Sequence, residues 1–150
     1  MAGAVEFEEF IGDARIRLAR AFTAAYGPER GQEALAEAMA YAWTHFDELQ
    51  AMDNPAGYLF RVGQSRTRPR KRTPLFPAPQ ARGLPDVEPG LADALTSLTE
   101  HQRVCVVLVH AYEWTYQEVA DLLGISRSTV QNHLERGLAR LRMVIGDVDG

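Results

Sequence analysis

Apolar residues recur every three or four positions along most of this chain, which is the pattern of amphipathic helices. Phe7 to Tyr26 and Glu29 to Leu49 follow this spacing, and Gly27-Pro28 between them is a helix-ending pair. Pro55 to about Arg68 predicts a third helix, because proline is favourable at the first helical position. Only Val104 to Val109 is rich enough in β-branched residues to suggest a strand, and its flanks are helical. The pattern therefore predicts an all-α protein.

A proline-rich segment divides this helical pattern into two parts. Residues 69–89 hold six prolines, and a chain of that composition is extended and semi-rigid rather than helical. The sequence therefore predicts two small helical domains, residues 1–68 and 90–146, joined by a linker at 69–89. The second domain begins with helical segments at Leu91 to Leu98 and Glu100 to Tyr112.

The segment from Thr115 to Arg142 has the spacing of a helix-turn-helix. Gly124 can adopt the positive φ that a sharp turn after a helix needs, and Ser126 is a good N-cap for the helix that follows. One face of that second helix is apolar at Val130, Leu134 and further positions at helical spacing. The other face carries long polar side chains, which we interpret as a surface that reads bases in a major groove: Arg127, Ser128, Gln131, Asn132, Glu135 and Arg136.

A helical hairpin with no ligand is the alternative interpretation of the same segment, because any such hairpin needs a turn glycine and an apolar seam. The adjacent Gln131 and Asn132 favour nucleic-acid binding, since their amides can pair with adenine through two hydrogen bonds. A merely solvated helix more often carries pairs of glutamate and lysine.

The net charge of −4 is distributed in blocks. Residues 1–60 hold four arginines against ten acidic residues, whereas residues 61–85 hold seven basic residues and no acidic one. Residues 86–124 are acidic again, and residues 125–150 have a small positive excess. Positive charge is thus concentrated in the middle of the chain and in the second hairpin helix, which indicates separate partners for separate segments.

The basic cluster is the second motif that predicts nucleic-acid contact. Five of the seven residues from Arg66 to Arg72 are lysine or arginine, and such a density of positive charge binds phosphates by releasing counterions. Tyr58 and Phe60 lie just upstream, and aromatic rings beside a basic patch can stack on unpaired bases. We expect one of these two rings to stack and the other to pack in the core. A solvated charge run is the alternative.

Composition makes other classes of protein improbable. No apolar run is long enough for a membrane span, the acidic N-terminus is unlike a secretory signal, and one cysteine forms no intrachain disulfide. We therefore expect a cytoplasmic protein without membrane insertion. No cofactor motif is present, and no catalytic residue is predicted. His101, Cys105 and His110 lack the fourth ligand of a zinc site, so we predict no metal.

These segments together resemble the extracytoplasmic-function (ECF) group of the sigma-70 family of bacterial RNA polymerase sigma factors. The stretch LADALTSLTEHQRVCVVLVHAYEWTYQEVADLLGISRSTVQNHLERGLARLR is similar to the family's −35-binding domain over its full length. EALAEAMAYAWTHFDEL resembles its polymerase-binding helix, and NPAGYLFRVGQSRTRPRKR resembles its −10 helix. The family usually has glutamine where Ala36 stands, asparagine at Ser65 and a continuing helix at Pro69.

The resemblance implies a non-enzymatic protein that binds promoter DNA and core RNA polymerase, through the clamp of the beta-prime subunit. It implies that Gln131, Asn132 and Arg136 contact the −35 element, together with Arg127 and Ser128 on the same face. Two further sets of residues are implied. The residues implied to contact the −10 element are Tyr58, Arg61, Ser65, Arg66 and Arg68. The residues implied to contact the polymerase are Glu33, Glu37 and Trp43.

Two further points concern partners. An anti-sigma factor that clamps between the two domains is common in this family. The competing hypothesis is a stand-alone helix-turn-helix regulator that does not act through the polymerase clamp, and such regulators usually bind paired half-sites as dimers. Co-purification with polymerase distinguishes the two hypotheses.

Overall fold

The computed structural model describes residues 3–67 and 91–149, and the regular elements in these ranges are all helical. The all-α prediction is confirmed. The predicted linker at 69–89 lies outside the described residues. The helices follow one another in this order: α1 (Gly3–Thr44), α2 (Phe46–Gln50), α3 (Pro55–Arg66), α4 (Leu91–Thr96), α5 (Glu100–Val106), a π-helical turn (Val107–Ala111), α6 (Tyr116–Leu123) and α7 (Arg127–Asp149).

Helix α1 is two helices joined at a kink, where the sequence predicts the break. Gly27 has φ 84° and ψ 173°, a backbone conformation that favours glycine, and Pro28 follows it. Because proline has no N–H, and because the backbone turns at Gly27, carbonyl groups at the end of the first segment lose their helical donors. The kink therefore creates acceptors that a residue elsewhere must satisfy.

The second segment of α1 ends earlier than predicted. The spacing predicts one helix as far as Leu49, but α1 ends at Thr44 and the short α2 begins at Phe46. His45 between them has φ −122° and ψ 30°. The break turns the ring of Phe46 onto Phe7, with their centroids 5.5 Å apart, so a tertiary aromatic contact accompanies this local departure from the helical pattern.

The core of the N-terminal half lies between α1 and α3. The rings of Phe22 and Phe60 stack with their centroids 5.1 Å apart, and both are fully buried. Gly63 faces Phe22 so closely that an added β-carbon would lie 2.3 Å from its Cζ atom. Close approach of these two helices therefore depends on a residue without a side chain.

The C-terminal half uses side-chain caps to start its helices. Thr99 with Gln102, and Thr115 with Glu118, form reciprocal capping boxes at the starts of α5 and α6. The stretch Val104 to Val109, which has some strand character, is helical and continues into the π-helical turn. Buried apolar side chains join α5, α6 and α7 into one core: Val104, Leu108, Val119, Leu122, Val130 and Leu134.

The two halves pack directly against each other, although the sequence predicts separate bodies. Arg103 of α5 is 5% exposed, and its Nε and Nη2 atoms donate to the carbonyls of Ala24 and Ala25 at 2.6–3.2 Å. Its Nη1 atom donates within its own half to Leu98, at 2.9 Å. Arg103 thus caps the first segment of α1 at the Gly27 kink, and burial lowers the pKa of its guanidinium.

Candidate nucleic-acid interface

The helix-turn-helix forms as its sequence predicts. Gly124 has φ 70° and ψ 36°, the left-handed conformation at the end of α6, and its N–H donates to the carbonyl of Ala120 at 2.8 Å. The hydroxyl of Ser126 accepts from the N–H of Thr129 at 3.1 Å, which makes Ser126 the N-cap of α7. Buried Val130 and Leu134 fix which face of α7 meets the core.

The polar face of α7 is exposed along its first three turns. All five residues predicted to contact the −35 element lie on it with exposed side chains: Arg127, Ser128, Gln131, Asn132 and Arg136. The Nε2 of Gln131 donates to Oε1 of Glu135, one turn further along, at 3.1 Å. The structure therefore brings the predicted readout residues together on one accessible face.

His133 lies at the edge of this face and points towards α5. Its ring meets the ring of His101 edge-on, with the centroids 5.3 Å apart. Burial lowers the pKa of His133, and the nearby His101 and Arg136 lower it further. His133 thus favours its neutral form and belongs to the packing between α5 and α7.

Helix α3 holds four of the five residues predicted to contact the −10 element. Its N-cap is Asn54, whose Oδ1 accepts from the N–H of Gly57 at 3.1 Å. Asn54, and not the adjacent Asp53, is the N-cap because Pro55 is the first helical residue. Phe60 is buried and Tyr58 is half-buried, whereas Ser65 and Arg66 are exposed. The helix ends at Arg66, and Arg68 lies outside the described residues.

An aromatic and cationic cluster joins α1 to α3 at this site. The hydroxyls of Tyr41 and Tyr58 are 3.1 Å apart, and the guanidinium of Arg66 lies 5.4 Å from the centre of the Tyr41 ring. His45 stacks on Tyr41 with the ring centroids 3.9 Å apart. The hydrogen bond with Tyr58 raises the pKa of the Tyr41 hydroxyl, because it favours the protonated form of Tyr41. Sequence reasoning missed Tyr41, although its position in the aromatic run of α1 was a usable signal.

Two residues assigned to different partners are paired with each other. Arg66, predicted to contact the −10 element, lies 3.5 Å from the carboxylate of Glu37, predicted to bind polymerase. Both side chains are about half exposed, so the pair contributes about 1 kcal/mol at most. Either residue can therefore leave the other at little cost when a stronger partner arrives.

Arg61 is the predicted −10 residue whose surroundings the sequence did not indicate. A β-carbon placed on Gly124 would lie 2.7 Å from its Nη1 atom, so the guanidinium lies against the turn of the helix-turn-helix. Close by, Nδ2 of Asn54 donates to the carbonyl of Asp121 at 2.6 Å. The N-terminal part of α3 is thus in contact with the end of α6.

Trp43, which the resemblance to the family assigns to polymerase contact, is exposed. Half of its surface is accessible, and its ring meets Phe7 edge-on with the centroids 5.1 Å apart. Beside it lies an open groove of about 530 Å³. The groove wall is partly apolar and carries three carboxylates, Glu6, Asp47 and Glu48. Glu33 and Glu37 are exposed one turn apart on α1.

Cys105 and the histidines form no site in the part of the chain that the structure describes. Cys105 is fully buried, and burial raises the pKa of its thiol to about 12. No group of three or more His, Cys, Asp or Glu within residues 3–67 and 91–149 is arranged to hold a metal ion. Within the same ranges, no helix combines the length and hydropathy of a bilayer-spanning segment.

Comparison with known proteins identifies the family. Residues 90–141 match the family described as Sigma-70, region 4. The RNA polymerase sigma-E factor of Streptomyces coelicolor is 32% identical over 165 aligned positions, which cover 99% of this chain and 92% of that protein. The chain is an ECF-type RNA polymerase sigma factor. Because the similarity includes the N-terminal half, this sigma factor differs from a stand-alone regulator, whose resemblance would be limited to the helix-turn-helix.

Other relatives agree with this membership of the family. The sigma factor CarQ of Myxococcus xanthus is 32% identical over 77 residues, which cover 51% of this chain and 44% of CarQ. A solved structure of the sigma factor RpoE from Bartonella quintana, in complex with the anti-sigma factor NepR, aligns with a TM-score of 0.61. It covers 94% of this chain and 97% of that one at 16% identity, so the likeness concerns the fold.

Proposed function

We propose that this sigma factor binds core RNA polymerase through α1 and promoter DNA through α3 and α7, and has no chemistry of its own. The observation that carries the proposal is the exposed polar face of α7, the second helix of the helix-turn-helix. We place the polymerase and −10 functions in residues 1–68 and the −35 function in residues 90–146. Its place of action is the cytoplasm, where bacterial polymerase meets the promoter.

The −35 element is bound as duplex by α7. Gln131 and Asn132 lie one position apart near the start of the helix and present amides that hydrogen-bond base edges. Arg127 and Arg136 stand towards either end of the same exposed face, where guanidinium groups contact the phosphate backbone. Ser128 adds a hydroxyl at the N-terminal turn. This division gives base recognition in the middle of the face and positioning at its ends.

The −10 element is bound by α3 as opened DNA. Tyr58 and Tyr41 offer aromatic surface for an unpaired base, and Arg66 supplies positive charge beside them. Arg61, Ser65 and Arg68 extend this contact along the strand. The Arg66–Glu37 pair is weak and exposed, so Arg66 can exchange the carboxylate for a phosphate.

The polymerase clamp is bound by the exposed surface around Trp43. An exposed tryptophan beside a partly apolar groove is an anchor of the kind that dominates protein interfaces. Glu33 and Glu37, together with the carboxylates of the groove, fit a basic partner surface. A further partner is an anti-sigma factor, which would act by covering these surfaces.

Separation of the two binding activities tests this assignment. Trp43→Ala is expected to lose co-purification with core polymerase and to retain binding to −35 duplex. Gln131→Ala is expected to retain polymerase and to lose discrimination at one base pair, by about 1–3 kcal/mol. Met143→Ala removes another exposed apolar side chain and serves as the control for truncation. Both activities are read in transcription reconstituted from core polymerase and a template carrying the selected sequence.

Two results contradict the proposal. One is polymerase binding that survives Trp43→Ala together with charge removal at Glu33 and Glu37. The other is a uniform loss of affinity for all sequences in Gln131→Ala, because a base-reading residue must change the preference among bases.

A further inference from the structure

Gln131 and Glu135 form a hydrogen-bonded pair in the middle of the exposed face of α7. The Nε2 of Gln131 donates to Oε1 of Glu135 at 3.1 Å, and both side chains are exposed. The two residues are four positions apart, so they lie above one another on the same side of the helix. Glu135 is therefore attached to the residue that we propose reads a base.

The carboxylate fixes the orientation of the amide. An ionised carboxylate only accepts hydrogen bonds, so Gln131 must turn its NH₂ group, and not its carbonyl oxygen, towards Glu135. One of the two amide hydrogens is then occupied. The carbonyl oxygen and the other N–H remain available to a base.

This orientation changes which bases Gln131 can satisfy. An unrestrained glutamine can turn its amide over and use both hydrogens on acceptors, as guanine presents at O6 and N7. A restrained glutamine offers one acceptor beside one donor, which matches the N6 amino group and N7 of adenine. Glu135 adds two acceptor oxygens and negative charge, which favour a neighbouring amino group and oppose the oxygens of guanine and thymine.

We propose that Glu135 is a specificity-determining residue that restrains Gln131 and directs the pair to base edges carrying an exocyclic amino group, adenine or cytosine. This inference rests on the proposed contact of α7 with the −35 element. Glu135 acts partly through Gln131, as a positioning residue, and partly by its own charge. The negative charge of Glu135 opposes phosphate binding. Its presence on a DNA-facing helix therefore lowers the affinity for DNA in general and raises the discrimination among bases.

Glu135→Gln is the decisive variant, because the new amide keeps the length of the side chain but can donate as well as accept. The full-length protein is mixed with duplexes randomised across the −35 site, and the bound sequences are counted. We expect the preference for amino-bearing over keto-bearing bases at the Gln131 position to fall on the order of tenfold. Affinity for random duplex rises, because one negative charge is lost.

Asp93→Asn is the matched control, since it removes one negative charge from an exposed position on α4, a different helix. It should raise affinity without changing the base preference. Thermal unfolding of both variants checks that the change in preference is not a consequence of altered folding.

The outcomes distinguish this inference from the proposed function. A base preference that depends on Gln131 but is the same in Glu135→Gln and the wild type overturns the role of Glu135 alone. A wild-type protein that selects no sequence, and is unaffected by Gln131→Ala, overturns the −35 assignment together with this inference.

Discussion

At the scale of single residues, the tight contact between α1 and α3 depends on the absence of a side chain at Gly63. Gly63 lies in the middle of α3, where a side chain would normally favour the helix. Its space is taken by the ring of Phe22, and the carbonyl oxygen of Ala34 would lie 3.0 Å from an added β-carbon. The stacking of Phe22 on Phe60 requires this close approach.

Gly63→Ala is therefore expected to destabilise the protein, by about 1–3 kcal/mol, because the Phe22 ring must move out of a packed core. Gly12→Ala is the control: it lies inside α1, and an added β-carbon there has no neighbour within 4 Å. That substitution should stabilise the helix by about 0.5–1 kcal/mol. Urea unfolding of both variants measures the difference, and equal effects would mean that the α1–α3 contact is not close.

At the scale of elements, α6 shows how one side chain serves a helix and a tertiary contact. Glu118 accepts from the backbone N–H of Thr115 at 3.0 Å and completes the capping box of α6. The same carboxylate lies 3.2 Å from Arg17 of α1. The backbone hydrogen bond from Thr115 is the largest cause of the lowered pKa of Glu118, and Arg17 lowers it further.

Replacing Glu118 separates the two roles. Glu118→Gln keeps an oxygen acceptor for Thr115 but loses the charge that attracts Arg17, whereas Glu118→Ala loses both. The alanine variant should cost about 0.3–1.5 kcal/mol of unfolding free energy, and the glutamine variant less. Urea midpoints at neutral pH measure this order, and a glutamine variant as unstable as the alanine variant would contradict the capping role.

The lowered pKa of Glu118 also sets a dependence on pH. A carboxyl group with a depressed pKa in the folded state contributes stability that is present above its unfolded pKa of 4.5. That contribution is lost as the pH falls through the lower folded value. The difference in unfolding free energy between wild type and Glu118→Gln should therefore shrink as the pH falls below 4.5 and through the lowered folded pKa. A constant difference would show that the charge of Glu118 has no part in stability.

At the scale of the whole molecule, the packing of the two halves conflicts with the function proposed above, in which α3 and α7 bind two separate promoter elements at the same time. Asn54 and Arg61 of α3 lie against the end of α6 and the turn before α7. The −10 and −35 elements are about 25 base pairs apart, roughly 85 Å along B-DNA at about 3.4 Å per pair. The proposed function therefore predicts that the halves separate on the promoter, and the 24 peptide steps from Thr67 to Leu91 permit about 80 Å.

Arg103→Met should favour the separated form, because it removes the donors that satisfy Ala24 and Ala25 across the interface. The buried hydrogen bonds lost are worth on the order of 3 kcal/mol. We expect a larger radius of gyration in small-angle scattering and tighter binding to a promoter fragment carrying both elements. The control Arg15→Met loses only an exposed pair with Glu8, within α1.

A second variant excludes local damage as the explanation. Arg103 also donates to Leu98 in its own half, so Arg103→Met could loosen that half alone. Arg17→Met removes a partly exposed ion pair with Glu118 and the guanidinium that lies over the buried ring of Trp114. It should also increase the radius of gyration, but by less than Arg103→Met does. Unchanged dimensions in both variants would mean that these contacts do not hold the halves together.

The sequence by itself determined the features that depend on neighbours along the chain. Gly124 and Ser126 define the turn and the start of α7, and helical spacing puts Gln131 and Asn132 on the polar face. The kink at Gly27-Pro28 follows from backbone chemistry alone. These are predictable because capping, positive φ and the 3.6-residue period act within a few residues. The domain boundaries and the roles of individual residues stay predictions.

Only the tertiary structure decided which polar residues meet across the chain. Arg103 satisfies the carbonyl of Ala25, 78 residues away, and nothing in the local pattern distinguishes this arginine from an exposed one. Trp43 has the spacing of the apolar residues of α1, but in the packed protein it meets Phe7 at the edge of the core and half of its surface is exposed. Periodicity fixes the direction of a side chain from its own helix, whereas the partner depends on how the helices pack.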